Sequence, residues 1–472
     1  MKKALTLFTA LYSLTAFAQY PTQNVTLLST WDSTQIPSES FYGIRYNGIW
    51  GWVDPQDNRE YAIIGSTEGT HIIDVTNPSS PVQRDFVPGR RNQCIWREYK
   101  TYQNYLYAVS DDSPPNSLQI INLSYLPDSV SVVHDNNTIL ERSHTIFIDG
   151  NKLHCGIPRG GVIGGTGKMA VFDLTNPTAP TLLRKVETDY PGSDYVHDMY
   201  VRNDTVYASS SYAGLFIYKY NTTGNTYNLL ASLTTYLDQG YNHSSALTAD
   251  GNTLIFCDEV PVNMSVKALD VSNLSNLTVT DYFKSTPSTI ATPHNPFIRA
   301  GDNTRVIIAY YQDGVQIFDI SNPSNVVRTG FIDTNPTDCP SCPNPSYSGC
   351  WGAYVDLPSG IIIASDMQNG LFVIDASGAL VSGGNNIAGT GNSVNIFPNP
   401  SSGSFQVTVD LRSEDELAYE IHDISGRLVA SQKQFFAQGK TNFQVEAGLE
   451  AGVYFLTISG SSFTYTEKLV RQ

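Results

Sequence analysis

Four of the eight histidines sit in one recurring context. His144, His197, His243 and His294 each open a short run of strand-forming residues, and Thr145, Asp198, Ser244 and Asn295 follow them directly. Neutral imidazole is a ligand for zinc, copper, iron and nickel, and carboxylate oxygens complete such sites. Asp258 and Glu259, adjacent in the chain, are the acidic partners expected to serve here. These six residues form a candidate site for a divalent transition metal. The alternative is structural: a buried ring must find hydrogen-bond partners, and the four polar neighbours could supply them within each repeat.

Positions that converge must be brought together by repeated elements, and the chain carries such a repeat. A turn glycine, an apolar run and an acid recur, as in Gly69 to Asp74, Gly314 to Asp319 and Gly370 to Asp375. Aligned on the last residue, the units fall at Asp74, Asn122, Asp173, Lys219, Asp270, Asp319 and Asp375, at intervals of 46 to 56 residues. A period in this range marks a solenoid, propeller or array. Each unit reads as four strands, β-branched and aromatic, bounded by Gly, Asn, Asp and Pro. His144, His197, His243 and His294 open the first strand of four consecutive units. Trp50, Trp96 and Trp351 lie near that position in the other three, read as core or as an aromatic rim for carbohydrate. Loops on the same face carry Glu68, Asp111, Asp112, Asp258, Glu259, Asp313 and Asp366.

The fold expected from this pattern is all-β: a seven-bladed β-propeller over residues 19–375, followed by a small β-sandwich. The seventh unit lacks an outer strand after Asp375, and Val25 to Trp31 is expected to supply it, closing the ring. The repeat aspartate, replaced by Asn122 and Lys219 in two units, reads as a turn element and not as a ligand.

Composition sets further limits. The formal charge is −16, with 44 acidic and 28 basic residues, which argues against a nucleic-acid partner. Residues 1–18 read as a signal peptide: Lys2-Lys3, an apolar stretch, then Ala16-Phe17-Ala18. No other run is long and apolar enough to span a bilayer as a helix. Of six cysteines, Cys155 and Cys257 read as buried free thiols. Cys339, Cys342 and Cys350 lie in an insertion whose Cys-Pro-Ser-Cys spacing suits a local disulfide or a metal pair. The Gly160 to Lys168 stretch lacks the spacing of a phosphate loop, and no Gly-x-Ser-x-Gly elbow is present. No catalytic residue and no organic-cofactor residue is assigned. Residues 376–393, rich in Gly, Ser and Asn, read as a flexible linker, and 394–472 as a separate all-β unit.

That last unit resembles the type A sorting domain of the type IX secretion system of Bacteroidetes. The matching residues are Phe397-Pro398-Asn399-Pro400, Asp423-Ile424-Ser425-Gly426-Arg427, Gly452-Val453-Tyr454 and Lys468-Leu469-Val470. The resemblance implies the type IX machinery as a partner, with export to the outer surface or beyond. The repeat region resembles the LVIVD-repeat proteins of the choice-of-anchor B group, which implies fold and address more than activity.

The function expected is therefore a secreted or cell-surface protein that binds an extracellular glycan or protein through its loop-rich face. The alternative is a metal-dependent oxidase or hydrolase with its histidine site at a channel mouth.

Overall fold

A computed structural model describes residues 20–286, 289, 291–336, 347–380, 392–423, 427–445, 448–461 and 463–471. The expected signal peptide, most of the expected linker, and Cys339 and Cys342 lie outside these residues. The chain is almost entirely strand. Its repeats build seven antiparallel sheets, six of four strands and one of five.

The expectation of a closed seven-bladed propeller is corrected. The strand-to-strand hydrogen bonds define several open antiparallel sheets of four or five strands, each with two edges, and none closes into a barrel or propeller. The reason is physical. A period of about 50 residues encodes the local unit. Closure depends on packing between units, which the period does not encode.

Within each unit the expected four strands are present. In the third, Thr145–Asp149, Lys152–Gly156, Met169–Asp173 and Thr181–Lys185 pair in chain order. The middle strands are buried on both faces, as in Glu60–Ser66 and Thr253–Asp258. Their Ile, Val, Phe and Ala side chains form the cores between sheets. Each fully buried Ile or Phe contributes roughly 1.5–3 kcal/mol. A register shift recurs in the outer strand pair of all seven repeat sheets, for example between Ile72 and Ile73 and between Ile317 and Phe318. Such bulges bend the strand and increase its twist.

The repeat acid makes a turn. The side-chain Oδ1 of Asp74, Asn122, Asp173, Asp270, Asp319 and Asp375 accepts the backbone N–H two residues on, at 2.8–3.1 Å. This Asx geometry explains why Asn serves as well as Asp.

The early segment joins two sheets. Thr26–Trp31 pairs antiparallel with Gly370–Asp375, as expected for the outer strand of the last repeat. Thr22–Gln23 pairs with Val327–Ile332, which makes that sheet five-stranded and was not foreseen. The first residues of the expected linker are packed: Ser377–Leu380 forms a helical turn, with Ala376 and Ala379 in the core. Beyond Asn392, sheets of three and four strands share one core that includes Val407, Ile421, Leu456 and Leu469.

Candidate functional site

The first strands of the seven repeat sheets border one cavity of about 460 Å³. Strand geometry brings the histidines into it. His144, His197 and His294 immediately precede the strands starting at Thr145, Asp198 and Asn295, and His243 is the second residue of Asn242–Leu247.

The four rings form a row. Centroid separations are 4.1 Å for His144 to His197, 4.3 Å for His197 to His243 and 4.3 Å for His243 to His294, with tilts of 46–51°. Trp351 continues the row, 5.1 Å from His294. The rings thus lie side by side and do not enter separate sheet interiors.

The polar neighbours of the histidines do not satisfy the rings. Thr145 Oγ1 donates to the His197 carbonyl at 2.7 Å, Ser244 Oγ donates to the His294 carbonyl, and Asn295 Nδ2 donates to the Trp351 carbonyl at 3.2 Å. Two rings bond to backbone in the same way. His197 Nδ1–H donates to the His243 carbonyl at 3.2 Å, and His294 Nδ1–H to the Trp351 carbonyl at 2.6 Å. A carbonyl only accepts, so each Nδ1 carries the proton and Nε2 is the lone-pair nitrogen. His144 Nδ1 is 2.7 Å from Asp111 Oδ2. A hydrogen bond from one ring nitrogen is the usual means of orienting an imidazole whose other nitrogen binds a metal.

His243 differs. Its Nδ1 is buried beside the His294 carbonyl, which favours its proton, and its Nε2 lies 3.7 Å from Glu259 Oε2. Tyr311 donates its hydroxyl to the other Glu259 oxygen at 3.0 Å. His197, His243 and Glu259, all buried, each offer a ligand atom within 4.8 Å of the others. This donor set can chelate a metal ion.

Burial sets the protonation of the row. It holds His197 and His243 well below the ordinary histidine range and pushes His294 down to about 3. His144 is the exception. Burial opposes its charge, but the Asp111 hydrogen bond and the Asp111, Glu98 and Glu259 charges raise its pKa. Burial also raises Glu259.

Asp258 is not brought to the row. Its carboxylate pairs with Lys267 Nζ at 2.7 Å, both side chains fully buried, and accepts from the Tyr236 hydroxyl at 2.9 Å. The register decides this: consecutive residues of an extended chain point to opposite sides, so Glu259 faces the cavity and Asp258 the sheet interior. Three of the other loop acids, Asp112, Asp313 and Asp366, are held by neighbouring segments. Asp112 accepts the Ile95 and Trp96 N–H groups, and Asp366 accepts Thr334 Oγ1 and two backbone N–H groups.

The cavity also holds Glu98 and Lys100, which the sequence did not single out, together with Asp198. Trp351 Nε1–H donates to Glu98 at 3.2 Å, and Lys100 Nζ lies 4.2 Å from the Trp50 ring centroid. Asp198, expected to partner His197, instead accepts the Met199 N–H at 2.7 Å. The available signal was the alternation after Trp96, which places Glu98 and Lys100 on one side of a strand. Cys94, Cys155, Cys257 and Cys350 are buried free thiols.

Comparison with known proteins identifies two regions. LVIVD repeats match residues 59–84 and 306–334. The secretion system C-terminal sorting domain matches residues 395–472. The chain therefore carries an LVIVD-repeat region and a type IX sorting domain, and its address is the cell surface or the extracellular space. Among the described residues, no helix is long and apolar enough to cross a membrane.

No curated protein matches the chain. Solved structures that resemble it include a putative 6-phosphogluconolactonase from Bacteroides uniformis, at 12% identity and TM-score 0.49. That match covers 81% of this chain and 96% of that one. Another is a protein from Lactobacillus plantarum at 10% identity and TM-score 0.49, covering 85% and 99%. A third is a putative 6-phosphogluconolactonase from Bacteroides fragilis at 11% identity and TM-score 0.46, covering 88% and 100%. At these values they carry no functional argument.

Proposed function

We propose that the protein is a secreted or surface-displayed binder that takes an extracellular ligand, a glycan or a protein segment, at the cavity bordered by its repeat sheets. The observation that carries this reading is the cavity itself, whose volume lies within the range of roughly 300–1,000 Å³ typical of ligand sites. Aromatic side chains stand at its opening: Tyr212 is 64% exposed and meets Tyr241 edge-on at 5.2 Å. Rigid amphipathic rings of this kind supply contact area at low entropic cost. The sorting domain delivers this surface to the medium, through the type IX machinery as partner. The test is binding of the purified protein to glycan and peptide arrays, repeated with Tyr241→Ala and Trp96→Ala. Saturable binding that falls at least tenfold in these variants is expected. Binding indifferent to both substitutions overturns the reading.

A second reading is favoured by one observation, the convergence of buried His197, His243 and Glu259 with ligand atoms within 4.8 Å of one another. In it the row holds a divalent transition metal, and the protein is a metal-dependent oxidase or hydrolase. His197, His243 and Glu259 would be the ligands, with His144 and His294 flanking them. Metal analysis of the purified protein separates the two readings, because a stoichiometric transition metal favours the second.

A further inference from the structure

We propose that the cavity contains a subsite for the uncharged, hydroxyl-rich end of a saccharide, formed by Glu98, Lys100 and Asp198. This rests on the reading of the protein as an extracellular ligand binder and names the ligand class.

The three side chains lie along the cavity wall and act on one another's charge. Among the described residues, Lys100 has no carboxylate within ion-pair distance. Its ammonium donates to the Tyr99 carbonyl at 3.1 Å and lies over Trp50. An ammonium has three donors, so donor capacity is left over. Glu98 accepts the Trp351 indole, and Asp198 accepts one backbone N–H, so both keep acceptor capacity. All three groups are half-buried at the cavity wall, where an unsatisfied charge costs more than in open water. A ligand that satisfies all three must both donate to carboxylates and accept from an ammonium. Hydroxyl groups do both.

Charge disfavours one alternative. One cation stands among two carboxylates, so an anionic ligand such as a uronate, phosphate or sulfate is repelled. The neighbouring wall is aromatic: Phe147 and Tyr200 are 5.3 Å apart edge-on, and Trp50 meets Tyr354 at 4.8 Å. Such rings pack on the C–H faces of a neutral sugar.

The experiment is calorimetry and tryptophan fluorescence on the secreted protein. The panel is glucose, galactose, mannose and xylose, with glucuronate and galacturonate as charged counterparts, and short neutral oligosaccharides. At least one neutral sugar should bind, with its charged counterparts at least tenfold weaker. Asp198→Asn and Lys100→Met should each weaken that binding tenfold or more. If no neutral sugar binds, or a charged counterpart binds equally well, the subsite is overturned. The panel on the unmodified protein decides this even where a variant fails to fold. An array ligand lost in Tyr241→Ala but unaffected by Asp198→Asn would overturn the subsite while leaving the binder reading intact. Absence of any array ligand would remove both.

Discussion

His243 Nε2 and Glu259 Oε2 stand 3.7 Å apart in a buried setting, with a ligand nitrogen of His197 within 4.8 Å of both. A cation bridging these three atoms would complete an approach that falls short of a hydrogen bond. Removing one ligand from a three-ligand set costs more than the 10–100-fold typical of losing a group that only orients a ligand. His243→Ala is therefore expected to lower zinc or copper affinity by more than about 100-fold, measured by competition with a chromophoric chelator, with the circular dichroism spectrum unchanged. Equal retention by the variant would remove metal from the account. The depressed pKa values of His197 and His243 add a sign: protons compete only well below the usual histidine range, so retention should persist at pH 5.5.

His154 offers a pH test of stability. It is fully buried, neither ring nitrogen has a hydrogen-bond partner among the described residues, and burial lowers its pKa to about 4. The folded state therefore binds fewer protons than the unfolded state between about pH 6.5 and 4, and stability falls as pH drops through that window. At pH 5 the penalty is about 2 kcal/mol. His154→Leu should raise the melting temperature more at pH 5 than at pH 7.5. An equal shift at both values would show that the ring titrates normally.

The Asp258–Lys267 pair should be expensive to break and cheap to replace. Lys267→Met leaves a buried carboxylate unpaired and is expected to destabilise by about 3–5 kcal/mol. Adding Asp258→Leu should recover most of that loss in denaturant titrations. A double variant as unstable as the single one would contradict this.

Deleting residues 20–31 removes the partner of Gly370–Asp375 and the buried Val25. It also removes Trp31, which packs on Tyr46 and His71. The melting temperature should fall by at least several degrees, and the bared edge should promote association. An unchanged melting curve and a monomeric elution profile would refute this role.

Truncation after Ser393 removes the sorting domain and should leave the protein in the periplasm of its host. Fractionation followed by immunoblotting checks this, and normal surface appearance of the truncated chain would show that residues 394–472 are dispensable for export.

Much of this was legible in the sequence because it is local. The turn at Asp74 and its equivalents, the four-strand unit and the outer pairing of Thr26–Trp31 follow from short-range pattern. So does the shared position of the four histidines. Closure of the sheets was not legible, because it lies in packing between units. Asp258 was misplaced because adjacency in sequence says nothing about facing: in a strand, it and Glu259 point apart. Glu98 and Lys100 escaped notice because charged residues in strands usually read as solvent-facing, and only the convergence of several strands made these inward; Asp198 was read as a partner of its neighbouring ring.

The pairing of Thr26 with Asp375 has a consequence for how the molecule is made. In most repeat arrays each unit can settle on its predecessor as synthesis proceeds. Here Thr26–Trp31, made early, has no seat until the last repeat has been translated. Loop closure over such a distance is slow, and a product cut short before Gly370 never acquires a finished sheet at that end.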